Sequence, residues 1–209
     1  MSGPDFSFEE DLCKRGLWPV AGVDEVGRGP LAGPVAAAAV ILHPDDLPAG
    51  IDDSKALTGR KREAVFEQIL GRARAVSVAF VTASEIDRIN IRQAALLAMT
   101  RAVTGLALPP AYTLVDGRDL PPLACPARAI IKGDAQCLSI AAASIVAKVT
   151  RDALMRRLAE IYPDYGFETN AGYGAKRHLE ALKQIGPSPF HRMSFAPLSR
   201  LSTHPAPGK

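Results

Sequence analysis

Two adjacent carboxylates follow an apolar run near the N-terminus of the chain. The run spans residues 20–23, the acids are Asp24 and Glu25, and a glycine-flanked arginine, Gly27-Arg28-Gly29, comes almost directly after them. Because successive side chains of a strand point to opposite faces, one of the two acids faces inward unless the backbone bends. Neighbouring negative charges also raise each other's pKa unless a positive group lies between them. The pattern predicts a strand that ends at a chemically active site, where a hard cation such as Mg²⁺ would take carboxylate oxygens as ligands.

The composition of the 209-residue chain is that of a globular protein, with 47% hydrophobic and 22% charged residues. A net charge of +3 is compatible with a polyanionic partner but too small to establish one. Three cysteines, Cys13, Cys125 and Cys137, lack C-x-x-C spacing and indicate reduced thiols. No secretory signal is visible, and no apolar run approaches the ~20 residues that span a membrane. We therefore expect a cytoplasmic protein with no membrane partner.

The order of the predicted elements favours a three-layer α/β fold with a mixed central sheet flanked by helices. Strands are predicted over 19–24, 34–42, 76–82, 112–115 and 127–131, and helices over 6–15, 58–70, 84–105, 138–160 and 175–185. The first two strands, joined by a loop rich in glycine and proline, are expected to be antiparallel neighbours. Ser84 to Asp87 resembles a capping box that opens the long helix 84–105. The tail, residues 199–209, is predicted to be disordered.

Four acids lie at the ends of predicted strands or next to a helix: Asp24, Glu25, Asp116 and Asp134. Asp-Gly and Gly-Asp pairs are also ordinary turns, so Asp116 and Asp134 taken singly have that simpler explanation. In an open α/β sheet, ligands bind outside the carboxyl ends of the strands, so the four acids can meet in one crevice. Two Mg²⁺ or Mn²⁺ ions roughly 4 Å apart would neutralise such a cluster and form a two-metal phosphodiester site.

Two glycine-rich loops and a lysine are candidates for substrate contact. Gly27-Arg28-Gly29 is either a flexible hairpin loop or a segment whose backbone binds a ribose 2′-OH, the group that distinguishes RNA from DNA. Tyr173, between two glycines, either packs in a turn or stacks on a sugar. Lys55 is either a plain loop lysine or a phosphate clamp.

The remaining charged candidates have simpler explanations. His178 alone is more typical of a helix surface than of a catalyst. The helix 138–160 is apolar at its start, which predicts burial under the site. Its later charges favour a solvated face with i,i+4 pairs, and phosphate contact by one or two of them is the alternative: Lys148, Arg151, Asp152, Arg156 and Arg157.

Together these motifs resemble those of bacterial ribonuclease HII. The resemblance covers about residues 15–197 and is carried by residues 20–35 and by Asp53-Ser-Lys55, Val115-Asp-Gly117, Lys132-Gly-Asp134, Ser139 to Asp152, Gly172-Tyr-Gly174 and Phe190-His-Arg-Met-Ser-Phe195. It implies a ribonuclease H-like fold. It also implies an endoribonuclease that cleaves the RNA strand of RNA–DNA hybrids and single ribonucleotides embedded in duplex DNA. Cleavage would fall 5′ of the ribonucleotide and leave 3′-OH and 5′-phosphate ends.

The same resemblance assigns roles to individual residues. Two divalent ions, Mg²⁺ or Mn²⁺, would be held by the four catalytic acids, Asp24, Glu25, Asp116 and Asp134. The 2′-OH at the DNA–RNA junction would be read by Gly27, Arg28 and Gly29, and Tyr173 would stack there; Lys55 is a further substrate-binding candidate. Residues 1–198 would form one catalytic domain with a helical C-terminal part. We expect a monomer whose partners are hybrids and ribonucleotide-containing duplex DNA.

Two small departures from the family pattern concern substrate contact, not the reaction. Ala175-Lys176-Arg177 replaces a more usual Thr-Lys-Glu, and Cys137 lies in a variable stretch. The alternatives are a non-catalytic hybrid-binding module, which would need a broken acid set, an exonuclease on the same fold, and a ribonuclease HIII-like enzyme. The extra domain of ribonuclease HIII has no room before residue 15.

Overall fold

The strands of the predicted α/β domain form one mixed sheet. A computed structural model of the chain describes residues 3–52, 54 and 56–201. Within them, five strands form the sheet, in the order β3-β2-β1-β4-β5. The strands are β1 Val20–Val26, β2 Val35–Ile41, β3 Ala75–Val81, β4 Tyr112–Asp116 and β5 Ala127–Ile130. The helices are α1 Ser7–Lys14, α2 Gly59–Arg72, α3 Ala83–Ile89, α4 Ile91–Thr104, α5 Leu138–Ile161, α6 Phe167–Asn170, α7 Lys176–Ile185 and α8 Leu198–Leu201.

The sheet is mixed and its first two strands are antiparallel neighbours, as the sequence predicts. Strand β2 pairs antiparallel with both β1 and β3. Strand β4 pairs parallel with β1, and β5 pairs parallel with β4. The register places Val23 opposite Val115, so the carboxyl ends of β1 and β4 lie side by side. Acids at these two ends therefore share one edge of the sheet.

Helices cover both faces of the sheet and complete the three layers. Alternate residues of β2 face opposite sides, so Ala37 and Ala39 pack with the α3–α4 layer, while Ala38 and Val40 pack with α2 and α5. The small alanines of β2 let the two helical layers approach closely. The first face is centred on Val23, Ala37, Ala39, Ile86, Ala94 and Ala98, and the second on Ala38, Val40, Val65, Ile69, Ala142 and Ile145.

Helix α5 lies against β1 because Gly22 has no side chain. A Cβ at Gly22 would lie 2.2 Å from the carbonyl carbon of Ser139, inside any acceptable contact. This approach buries the apolar start of α5 under the sheet edge, as its composition predicts. It also carries the next turns of α5 toward the acids of β1.

The helix predicted over 84–105 is two helices, and the predicted capping box is displaced. Asn90, with a φ of 66°, separates α3 from α4. Its side chain caps α4 by accepting a hydrogen bond from the N–H of Gln93. The capping box is formed by Thr82 and Glu85, not by Ser84 and Asp87. The backbone N–H of Thr82, the largest cause, and Arg101 lower the pKa of Glu85 to about 2.

Some predicted features fall at or beyond the limits of the described residues. Lys55, the proposed phosphate clamp, lies outside them, as do residues 202–209 of the predicted tail. Residues 199–201 belong to α8, in contrast to the disorder predicted from residue 199. In the part of the chain that is described, no helix is long and apolar enough to cross a membrane.

Candidate active site

Asp24 and Glu25 lie within β1, which continues to Val26 rather than ending at the acids. As neighbours in a strand they project to opposite faces of the sheet. Asp24 is 5% exposed, and its Oδ1 accepts a 2.7 Å hydrogen bond from the N–H of Glu25. Glu25 Oε1 accepts a 3.1 Å bond from Nη1 of Arg28. The first acid is therefore buried, and the second is held by the arginine of the following loop.

The other two acids come from the parallel half of the sheet. Asp116 is the last residue of β4, beside β1, and Asp134 is buried in a 3-10 turn, Gly133–Ala135, between β5 and α5. The N–H of Gly133 donates a 2.7 Å hydrogen bond to Oδ1 of Asp116. A Cβ at Gly133 would lie 2.6 Å from Cδ1 of Ile140. The same Cβ would lie 3.3 Å from Oδ1 of Asp116, so a larger residue would crowd the turn where it meets both Asp116 and α5.

All four acids line a single open cavity of about 340 Å³. The rest of its wall is formed by Val26, Ser54, Ser144, Lys148 and Tyr173. Among the described residues, no three His, Cys, Asp or Glu side chains form a ready-made metal cluster. The four acids thus share one cavity, as the sequence predicts, but their side chains are not already arranged as a set of metal ligands.

The electrostatics of the cavity are those of crowded negative charge. Burial, followed by the charges of Glu25 and Asp116, raises the pKa of Asp24 well above its usual value, while a hydrogen bond with Ser144 acts in the opposite direction. Burial also raises the pKa of Glu25, against the lowering effect of Arg28. A hard divalent cation suits this donor set, because it would relieve the repulsion and takes carboxylate oxygens as ligands.

Helix α5 supplies one wall of the cavity. Ser144 shares a 2.9 Å hydrogen bond with Ser54, and Lys148 pairs with Asp152 at 2.9 Å, the i,i+4 contact that the sequence predicts. The prediction that Arg151 lies on a solvated face is wrong. It is 1% exposed and donates to backbone carbonyls of two loops. The side chain of Arg151 therefore points into the protein, whereas the side chains of Lys148 and Asp152 remain partly accessible.

Tyr173 and the glycine-rich loop meet at the rim of the cavity. Gly27 has φ +89°, and a Cβ there would lie 2.2 Å from Nε of Arg151, so both backbone conformation and space require glycine. A Cβ at Gly29 would lie 3.3 Å from the ring of Tyr173. The tyrosine is 51% exposed, unlike a core aromatic, so its ring is accessible from the cavity.

Sequence reasoning missed the residues that support this rim. His178, expected on a helix surface, is fully buried, and its ring nitrogens lie 2.7 Å from the Tyr173 carbonyl and 2.9 Å from Nε2 of His191. Arg192 is fully buried and donates to carbonyls of the 27–33 loop. The only signal was the segment Phe190–Phe195, which took part in the family resemblance but carried no assigned role.

A mixed sheet of this order, with acids at the ends of its neighbouring parallel strands, defines a protein of the ribonuclease H-like class. A family model described as Ribonuclease HII matches residues 21–198. The chain therefore belongs to the ribonuclease HII family.

Curated relatives and solved structures agree with this assignment. The ribonuclease HII of Agrobacterium fabrum (strain C58) is 58% identical over 200 residues, which cover 95% of this chain and 92% of the relative. Ribonuclease H2 from Pyrococcus horikoshii OT3 has a TM-score of 0.73 and 29% identity, with 87% of this chain and 96% of the other covered. Ribonuclease HII in the PCNA complex from Archaeoglobus fulgidus has a TM-score of 0.72 and 30% identity, with coverages of 83% and 93%.

The chain is thus an enzyme, a type 2 ribonuclease H, and an endoribonuclease of RNA–DNA hybrids. The alternative of a non-catalytic binding module is not retained. The match to a ribonuclease HII model likewise favours this family over a ribonuclease HIII-like enzyme.

Proposed function

We propose that the enzyme cleaves 5′ of a ribonucleotide, both in hybrids and at single ribonucleotides in duplex DNA, and leaves 3′-OH and 5′-phosphate ends. The observation that carries the proposal is the single cavity that combines four acids with an exposed tyrosine set against a glycine-rich loop. The acids suit phosphodiester hydrolysis. The loop and ring suit recognition of one sugar at the place of cleavage.

We assign the metal site to the four acids Asp24, Glu25, Asp116 and Asp134. Divalent-metal dependence is general to the family, and we propose two ions, Mg²⁺ or Mn²⁺. When bound, such ions supply an activated water and neutralise charge on the leaving oxygen. The buried carboxylate of Asp24, crowded by Glu25 and Asp116, provides the negative charge that makes the site selective for cations.

The substrate contacts follow from the rim. Among the described residues, no hydrogen bond uses the backbone N–H of Arg28 or Gly29, and both residues are exposed. These two amides are thus available to a ribose hydroxyl, and the ring of Tyr173 beside Gly29 is available for stacking. We further propose that Lys148 contacts a phosphate, which is supported by its position in the cavity wall. Lys55 remains a candidate clamp, supported by its neighbour Ser54 in the same wall.

The test is cleavage of an end-blocked DNA duplex that contains one ribonucleotide. The unmodified enzyme should cut it 5′ of the ribonucleotide with Mg²⁺ or Mn²⁺, and Asp24→Asn should abolish cutting because a neutral amide is a poor ligand for a hard cation. The matched control is Asp11→Asn, an exposed acid on α1 that should cut normally. Undiminished cutting by Asp24→Asn would end the metal assignment, and a cut at another position would refute the proposed specificity.

A further inference from the structure

Two buried arginines lie beneath the loops that form the rim. Arg151, on α5, and Arg192, after α7, are 1% and 0% exposed. Within the described residues, neither guanidinium forms an ion pair with a carboxylate; both are satisfied by backbone carbonyls. Burial, and next the charge of Arg151, lowers the pKa of Arg192 to about 9. Burying a charge without a counter-charge costs free energy. The two buried arginines are therefore expected to serve a purpose that offsets this cost.

Arg192 holds the glycine-rich loop through all parts of its guanidinium. Its Nη2 donates to the carbonyl of Gly27, its Nη1 donates at 2.9 Å to that of Arg28, and its Nε donates at 3.0 Å to that of Gly33. Its own backbone N–H donates at 2.9 Å to the carbonyl of Leu31. One residue, 164 positions away in sequence from Arg28, therefore binds four carbonyls of the segment 27–33.

Arg151 joins that loop to the turn that carries Tyr173. Its Nε donates at 2.9 Å to the carbonyl of Pro34, and its Nη1 donates at 3.0 Å to that of Ala171. The carbonyl of Gly172 accepts hydrogen bonds from the N–H groups of Leu31 and Ala32 at 2.8 and 3.3 Å. The two loops are thus cross-linked into one unit.

A histidine pair fixes the other side of Tyr173. A carbonyl only accepts, so Nδ1 of His178 carries the proton that it donates to the Tyr173 carbonyl. Nε2 of His178 must then accept from Nε2–H of His191, whose Nδ1 accepts from the N–H of Ser188. The segment 188–192 consequently supports Tyr173 and the glycine-rich loop at once.

We infer that Arg192, together with Arg151, is a positioning residue for ribose recognition. The Arg192 guanidinium binds the carbonyls of Gly27 and Arg28 from inside the protein, and the exposed N–H groups of Arg28 and Gly29 are left for the 2′-OH beside Tyr173. Arg151 holds the adjoining carbonyls of Ala32 and Pro34 and that of Ala171, next to the Tyr173 turn. This inference rests on the proposed role of the loop in reading the sugar. It assigns the specificity of the site to a segment that does not itself line the cavity.

Arginine is needed because only its planar fork reaches three carbonyls. A lysine at position 192 keeps the positive charge but offers a single nitrogen. Arg192→Lys should therefore loosen the loop while it preserves the electrostatics. The matched control is Arg101→Lys. Arg101, on α4, also bonds a carbonyl, that of Phe80 in β3, but within the described residues it does not hydrogen-bond to the rim loops.

The decisive measurement is the ratio of two dissociation constants, for a duplex with one ribonucleotide and for the same all-DNA duplex. It is made in an Asp134→Asn background to prevent cleavage. Loss of a hydrogen bond to a charged group should reduce ribose preference by about tenfold in Arg192→Lys, with the all-DNA affinity unchanged. Amide hydrogen exchange should also accelerate over residues 27–33 but not over β2. Arg101→Lys should change neither quantity.

A second variant guards against misfolding of the first. Asp87 anchors the segment that carries Arg192, because its carboxylate accepts from the N–H groups of Met193 and Ser194 at 2.8 and 2.9 Å. Asp87→Ala should lower ribose preference in the same direction and to a smaller extent, without altering a buried charge.

The outcomes distinguish a failure of the positioning role from a failure of the proposed function. If the parent protein prefers the ribonucleotide duplex and a folded Arg192→Lys or Asp87→Ala variant keeps that preference, the positioning role is refuted and the proposed function stands. If the parent protein shows no preference, the loop does not read the sugar, and both ideas fall together.

Discussion

Buried polar side chains, as well as the acids of the cavity, give the active-site rim its shape. His178 and His191 are both neutral in the hydrogen-bonding pattern found here, and burial lowers the pKa of each. For His191 the value falls to about 4, with burial as the main cause and His178 as the second. An added proton would remove an acceptor that the pattern requires. The pair is therefore a structural element that depends on pH.

The free energy of unfolding should decrease as the pH falls from about 6.5 toward 4. The unfolded chain takes up a proton on this histidine near its ordinary value of 6.5, whereas the folded protein resists until about 4. Stability is thus fully present above 6.5 and is lost below it, by up to about 3 kcal/mol from His191. Urea denaturation between pH 7.5 and 4.5 would measure this loss. A His191→Gln variant should have a flatter profile, and a His43→Gln control an unchanged one; parallel profiles for all three would contradict the expectation.

At the scale of elements, the way in which α3 is capped leaves Asp87 available for a tertiary contact. The cap of α3 is made by Thr82 and Glu85, so Asp87 is available to bind the segment 193–194. Asn90 makes the break with a left-handed φ of 66° and caps α4 with its side chain. Asparagine suits both tasks, because it tolerates positive φ and is among the best N-caps.

Substitutions at Asn90 should separate the two contributions. Asn90→Ala loses the cap and places a Cβ in a left-handed conformation, for an expected loss of about 2 kcal/mol in the free energy of unfolding. Asn90→Gly also loses the side-chain hydrogen bond, but glycine adopts positive φ without strain. This variant should therefore lower the free energy of unfolding by only a few tenths of a kcal/mol. The measurement is urea denaturation of both variants. Equal losses would show that backbone strain does not matter at this position.

At the scale of the whole molecule, the first helix secures the start of the central one. Glu9 on α1 is buried, and its Oε1 accepts a 2.7 Å bond from the N–H of Ser139 and a 3.2 Å bond from the thiol of Cys137. The contact joins residues 130 positions apart. The start of α5 also packs on β1 at Gly22. By fixing this end of α5, the Glu9 contact helps to place Ser144 and Lys148 in the cavity wall.

Removal of this contact should destabilise the protein globally. Glu9→Ala leaves the buried N–H of Ser139 without its acceptor, at an expected cost of about 2 kcal/mol. Its neighbour Glu10 is exposed and pairs with Lys14 at 3.6 Å, so Glu10→Ala should change stability by less than about 0.5 kcal/mol. Chemical denaturation of the two variants under identical conditions provides the comparison. A similar effect of both would mean that the link from α1 to α5 contributes little.

Much of the fold was predictable because it follows from local patterns. Alternation and apolar runs located the strands, and the position of each acid at a strand end indicated a common edge for Asp24, Glu25 and Asp116. Helix boundaries were less accessible, because Ser84 and Thr82 are both acceptable N-caps by residue type. In the structure Thr82 is the cap, and Asp87 instead binds residues 193–194.

By itself, the sequence determined the mixed sheet, the acids that share its edge and the family to which the chain belongs, since these depend on residue order and short-range periodicity. Only the tertiary structure decided which charged groups enter the interior. Arg151 and Arg192 are polar in any sequence pattern, and their burial depends on carbonyls that converge from distant loops. A buried guanidinium is stable only where such carbonyls accept its hydrogen bonds. These carbonyls come together only in the folded chain.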